Sequence, residues 1–130
     1  MSGRIPMPAH RLSATQTVRI GGKSGPRIYL TVGFYDTART QVGEVWLVMD
    51  KTGSLERTLL DDVGRSASKR LQRGEPLEEL AENWLGIRFA PGGPVPGDAR
   101  IKNCTSILDY CARHLLVHYC GREDLAHAPA

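Results

Sequence analysis

The sequence predicts an α+β domain. It should hold a three-stranded antiparallel sheet with about three helices packed on one face, in the order β-β-β-α-α-loop-α. Three observations carry this. Residues 17–49 hold three alternating or apolar segments joined by polar or glycine-rich links. Residues 54–86 place apolar side chains at helical spacing, interrupted at Gly74 and Pro76. A last helical pattern, residues 107–120, follows a proline- and glycine-rich loop.

Residues 1–16 contain Ser2, Gly3, Pro6, Pro8 and Ser13 and read as a flexible N-terminal tail. The folded domain is expected over residues 17–127, with residues 128–130 as a second tail. Residues 17–20 alternate as a short strand. Residues 21–26 form a glycine-rich turn. Residues 27–35 form a second strand, with Ile28, Leu30 and Val32 on one face and Tyr29 and Thr31 on the other. After the polar connection 36–43, residues 44–49 are nearly all apolar and form the third strand. Consecutive strands with short links make a meander.

Asp50-Lys51-Thr52-Gly53 should end the sheet. Ser54 then offers an N-cap, with Arg57 rather than an acid at the third helical position. Leu55, Leu59, Val63, Ala67 and Leu71 fall four apart and are expected to form one buried, slowly drifting stripe. The opposite face carries Asp61, Asp62, Arg65, Ser66, Ser68, Lys69 and Arg70. Gly74 stops this helix. Pro76 opens the next, which runs through Leu77, Leu80, Ala81, Trp84 and Leu85 to Gly86. Residues 90–97 read APGGPVPG and are expected to be a loop. Ser106 and Asp109 resemble a capping box with Asp in place of Glu. Gly121 is a natural residue just past the last helix.

The 130 residues and 14.3 kDa suit one domain, and 41% hydrophobic with 24% charged residues is ordinary for a soluble one. No apolar stretch is long enough for a transmembrane helix, and the N-terminus shows no secretory pattern. A cytoplasmic protein without membrane contact is the expectation. A net charge of +3 is too small to argue for nucleic acid, although 13 of the 17 basic residues are Arg. Aromatic residues at 6% argue against a stacking platform for single strands, so direct nucleic-acid binding is not expected.

A set of short words occurs in one order from about Thr17 to His127. They are Gly43-Glu44-Val45, Lys51-Thr52-Gly53, Leu71-Gln72, Gly74-Glu75-Pro76-Leu77-Glu78-Glu79, Arg88-Phe89, Pro91-Gly92-Gly93-Pro94-Val95 and Ile101-Lys102. Ser106-Ile107-Leu108-Asp109-Tyr110, Tyr119, Gly121-Arg122 and Asp124-Leu125-Ala126-His127 follow. Together they resemble the TSCPD-type C-terminal region of adenosylcobalamin-dependent (class II) ribonucleotide reductases. In that family a large barrel carries the radical-forming cysteine, its redox partners and the cobalamin site. These 130 residues hold no counterpart of the barrel or of the family's swivelling cysteine tail. The resemblance therefore carries over no catalytic residue and implies no cofactor.

The first long helix, apolar in the family, is polar on one side here. That suits a domain that stands alone or binds through polar contacts. The resemblance implies a non-catalytic regulatory or adaptor protein whose partner is an enzyme of DNA precursor synthesis, replication or chromosome handling. The alternative is an accessory subunit of a reductase whose barrel lies on another chain.

Cys104, Cys111 and Cys120 are too few and odd in number for a disulfide scaffold. They read as core thiols, metal ligands or redox thiols. Cys104 precedes a helix N-terminus near Arg100 and Lys102, which favours a thiolate and makes it the candidate reactive thiol. Cys111 and Cys120 point to opposite sides of one helix, about 13 Å apart along its axis. If a disulfide forms, the expected kind is one between chains, which gives a redox-controlled homodimer. Cys111, His114 and His118 share a helix face and have legal zinc-ligand types. One straight helix rarely closes a tetrahedral site, and the family shows no such histidines. The expectation is no metal, with two solvent-facing histidines beside a buried thiol.

Gly22-Lys23-Ser24 resembles part of a phosphate loop. The required upstream glycine is Thr17, and a strand follows instead of a helix, so it reads as a turn. Arg65, Lys69, Arg70 and Arg73 form a basic side of the first long helix. Asp61 and Asp62 can pair with Arg65, so part of this set reads as a salt-bridged solvated face, and all four cations are candidates for a surface that meets an acidic protein partner or phosphate. No Ser-His-Asp or paired-carboxylate arrangement is defined by spacing.

Overall fold

The structure is a computed structural model that describes residues 3–50 and 54–130. Met1 and Ser2 of the expected tail, and Lys51, Thr52 and Gly53 of the expected sheet terminator, lie outside the described residues. The elements run β1 (Ser13–Arg19), β2 (Arg27–Phe34), β3 (Val42–Met49), α1 (Leu55–Gln72), α2 (Leu77–Glu82), β4 (Gly93–Pro94), β5 (Asn103–Cys104) and α3 (Ile107–Tyr119). A single 3-10 turn, Glu123–Leu125, follows. The sheet has the order β1-β2-β3 and is antiparallel, so the predicted α+β class and element order hold.

The described residues form two compact units. One takes the residues up to Gln16 together with Tyr29–Pro76; the other takes Thr17–Ile28 and Leu77–Ala130.

In the first unit, α1 packs on β3. Leu30, Val32, Phe34, Val45, Leu47 and Met49 are buried with Leu60, Ala67 and Leu71 of α1. Gly64 permits this approach. A Cβ there would meet Val45 O at 3.1 Å and Trp46 Cα at 3.2 Å. Ser54 caps α1 as expected, its Oγ accepting from Arg57 N at 3.1 Å.

The buried stripe of α1 differs from the predicted one. Leu55 and Leu59 are 71% and 56% exposed, and the buried side is Leu60, Gly64, Ala67, Ser68, Leu71 and Gln72. The helix turns about 100° per residue, so a spacing of four drifts about 40° each step. Over four steps Leu55 ends up nearly opposite Leu71. Ser68, placed on the polar face from sequence, lies inside. Its Oγ accepts from Val45 N and donates to Val45 O, both at 3.0 Å.

β1 begins at Ser13 rather than Thr17. Its first residues are polar and largely exposed, so they lack an apolar signal. A cross-strand Thr15–Thr31 hydroxyl contact of 2.9 Å marks the pairing instead. Residues expected to be tail are tied down: Ile5 N donates to Gln72 O at 2.8 Å and Arg4 Nε to Gln72 Oε1 at 2.6 Å.

In the second unit α2 packs on α3. Leu80, Ala81, Trp84, Ile101, Ile107, Tyr110, Leu115 and Leu116 are buried. The predicted APGGPVPG loop contains a short strand, since Gly93 pairs with Cys104 and Pro94 with Asn103. Two residues are too short for a periodicity signal, and a proline is tolerated at such an edge. The Gly21–Gly25 segment is a turn, with Gly25 N donating to Gly22 O at 3.0 Å.

Candidate functional site

The second unit holds a buried polar cluster built from one loop and one helix. Gly97 has φ +108°, and a Cβ there would meet Thr17 O at 2.9 Å, so the turn before Asp98 requires glycine. That turn sends Asp98 inward. Its Oδ1 accepts from Arg100 N at 2.9 Å and Ile101 N at 3.0 Å. Its Oδ2 accepts from Tyr110 Oη at 2.7 Å and lies 3.3 Å from His114 Nδ1. One helical turn further, the His118 ring centroid is 4.3 Å from that of His114. Asp98 and His114 are each 5% exposed, whereas His118 is exposed.

The electrostatics follow from this geometry. Burial alone would raise the Asp98 pKa, but hydrogen bonds with His114, Ile101, Arg100 and Tyr110 outweigh it and hold the carboxyl well below its usual range. Burial, then the Asp98 charge, pushes the Tyr110 phenol up, so it remains a donor. Burial, then His114, lowers the His118 pKa, which favours a neutral ring with a lone pair. One nitrogen of each histidine and one Asp98 oxygen lie within 4.8 Å of one another. The expectation of two solvent-facing histidines is corrected: His114 is buried. Cys111, the expected companion of the pair, is also fully buried, and Asp98 from the loop joins the histidines instead.

A second carboxylate, Asp109, is fully buried. Its Oδ1 accepts from Gly86 N at 2.8 Å, and its Oδ2 from Thr105 N at 3.0 Å and Arg113 Nε at 3.2 Å. Burial would raise its pKa, but the Thr105 and Gly86 amides and Arg113 lower it overall. Ser106 Oγ accepts from Asp109 N at 3.0 Å, which is half of the expected capping box. The reciprocal arm goes to Thr105 N rather than to the cap residue. Asp109 thus ties the start of α3 to the end of the α2 region.

Cys104 and Cys111 are buried and Cys120 is half-buried; all three are thiols. Burial, then the Asp109 charge, pushes the Cys104 pKa up. That sign is opposite to the one its place before α3 and near Arg100 and Lys102 suggests, because burial, and then Asp109 at the helix N-terminus, outweigh the helix and the cations. Burial also pushes up Cys111 and Cys120.

In the first unit, Arg65 pairs with Asp61 at 2.9 Å, and Arg70 pairs with Glu75 at 2.5 Å. Lys69 and Arg73 are exposed. Sequence reasoning missed Glu44, a buried carboxylate held by Arg11 Nε at 2.5 Å and Trp46 Nε1 at 2.8 Å. It also missed Asp98, whose one available signal was an acid directly after a Pro-Gly turn. No helix among the described residues is long and apolar enough to cross a membrane.

Comparison with known proteins agrees with the words read in the sequence. The TSCPD domain profile matches residues 4–119. The chain is 41% identical over 127 residues to a vitamin B12-dependent ribonucleotide reductase of Bradyrhizobium diazoefficiens, covering 98% of this chain and 10% of that protein. It is 40% identical over 124 residues to the Agrobacterium fabrum protein of the same description, covering 95% of this chain and 9% of that one. The Rhodopirellula baltica protein of that description is 33% identical over 118 residues, covering 91% and 11%. The chain therefore spans about a tenth of the length of these relatives. No solved structure gives a significant match. The chain belongs to the TSCPD domain family and is similar to the matching stretch of vitamin B12-dependent ribonucleotide reductases.

Proposed function

We propose that this chain serves ribonucleotide reduction as a non-catalytic, protein-binding module whose partner is the catalytic part of a vitamin B12-dependent ribonucleotide reductase. The observation that carries this is 41% identity over 98% of the chain to one such enzyme. A surface suited to the contact supports it. At about 100° per residue, Leu55, Leu59, Ser66, Lys69 and Arg73 fall within one outward sector of the α1 surface. Two exposed leucines lie at one end and two exposed cations at the other. Such a face suits a partner with an apolar patch flanked by acidic groups.

Tagged full chain and a B12-dependent reductase lacking its own matching stretch form the test. Co-purification and ribonucleotide turnover, with and without the chain, are the readouts. The reading expects a complex, raised turnover, and loss of both with Leu55→Glu plus Leu59→Glu, while circular dichroism stays unchanged. No complex and unchanged turnover would overturn it. Capture of a different enzyme of DNA precursor synthesis, replication or chromosome handling would replace it with the wider adaptor reading.

A further inference from the structure

We propose that Asp98, His114 and His118 bind one divalent transition-metal ion of the zinc class. The donor set is two imidazole nitrogens and one carboxylate oxygen, which suits such an ion better than calcium or magnesium. Zinc–ligand bonds of about 2.0–2.1 Å at tetrahedral angles put neighbouring donors about 3.3 Å apart. Asp98 Oδ2 and His114 Nδ1 are 3.3 Å apart in a hydrogen bond, and the ion would take the place of the proton between them. His118 is the donor that must move inward, and it is the exposed one. The proposal requires a shift of that single side chain, and its exposure gives the ion a way in.

The surroundings resemble the outer support of metal ligands. Asp98 is fixed through Oδ1 by two backbone amides and through Oδ2 by the Tyr110 hydroxyl. His114 and His118 share a face of α3 through their i, i+4 spacing. Arg100, a cation close by, pairs with Glu123, so it does not oppose the ion alone. Three protein donors leave a fourth position for water or for a group on a partner. The bound ion would staple the residue-98 loop to α3 within the second unit. This inference does not depend on the proposed partner.

The test uses the metal-free full chain, titrated with Zn²⁺ by calorimetry and with Co²⁺ by visible absorption. The expected result is one equivalent bound, with a Co²⁺ spectrum typical of four-coordination. His118→Ala should weaken binding about 100-fold with the fold unchanged by circular dichroism. Tyr110→Phe, which removes only the hydroxyl on Asp98, should weaken it about 10-fold. Cys111→Ala should leave it within about twofold. Absence of a one-to-one complex at millimolar Zn²⁺ would overturn the proposal. Binding indifferent to His118→Ala, or lost with Cys111→Ala, would overturn it equally.

Discussion

The two units bury polar groups in different ways. In the first, the buried polar side chains bond mainly to backbone or to one dedicated partner. Ser68 spans Val45 N and O, Gln72 Nε2 donates to Gly43 O at 3.1 Å, and Glu44 is taken up by Arg11 and Trp46. The Ser68 and Gln72 contacts stitch α1 to β3, and among the described residues this unit holds no convergent group of metal-ligating side chains. In the second, Asp98, His114 and His118 converge, with one nitrogen of each imidazole and one Asp98 oxygen within 4.8 Å of one another. A buried hydroxyl or amide satisfied by backbone stabilises a fold. A convergent set of titratable donors can also hold a ligand.

The largest expected effect that sharpens this contrast is at Asp109. Asp109→Ala leaves the Gly86 and Thr105 amides without their acceptor and should cost about 3 kcal/mol in urea unfolding. Ser68→Ala in the first unit should cost about 1 kcal/mol, because only one hydroxyl is lost. A larger loss at Ser68 than at Asp109 would break the contrast.

Acid sensitivity is the next effect. The pKa values of Asp109 and Glu44 are lowered in the folded chain, so the unfolded state binds more protons as pH falls. Their contribution is full above the usual carboxylate range near pH 4 and declines as pH drops through the folded values. Unfolding midpoints measured from pH 6 to pH 2 should fall, and Asp109→Asn should flatten that slope.

Thiol chemistry comes third. Cys120 is half-buried, while Cys104 and Cys111 are buried, so a disulfide reagent should react with one thiol quickly and two slowly. Cys120→Ser should remove the fast phase. A cysteine-linked homodimer would then require Cys120, which light scattering with and without reductant reads directly. The smallest effect is at Arg65→Ala, about 0.5 kcal/mol or less, because its pair with Asp61 is exposed.

Local signals read from the sequence carried the fold class, the order of elements, the Ser54 and Ser106 caps and the three central strands. What escaped was set by tertiary context. The α1 stripe was misassigned because a spacing of four looks amphipathic over two turns and drifts off the core over four. Ser68 was read as polar surface because a serine's sequence neighbours do not show that Val45 lies beneath it. His114 and His118 were legible as a pair on one helix face. Asp98 was not, because sixteen residues and a strand separate it from His114 and only the Gly97 turn brings it back.

The most direct test of the contrast between the units is a nuclear magnetic resonance titration of the ¹⁵N-labelled chain with Zn²⁺, following imidazole and backbone signals together. The account predicts that one equivalent shifts the His114 and His118 rings and the Asp98–Ile101 amides. His127, together with His10 and the Val45–Ser68 contact of the first unit, should stay in place. Shifts confined to His10 or His127, or spread over both units alike, would contradict it.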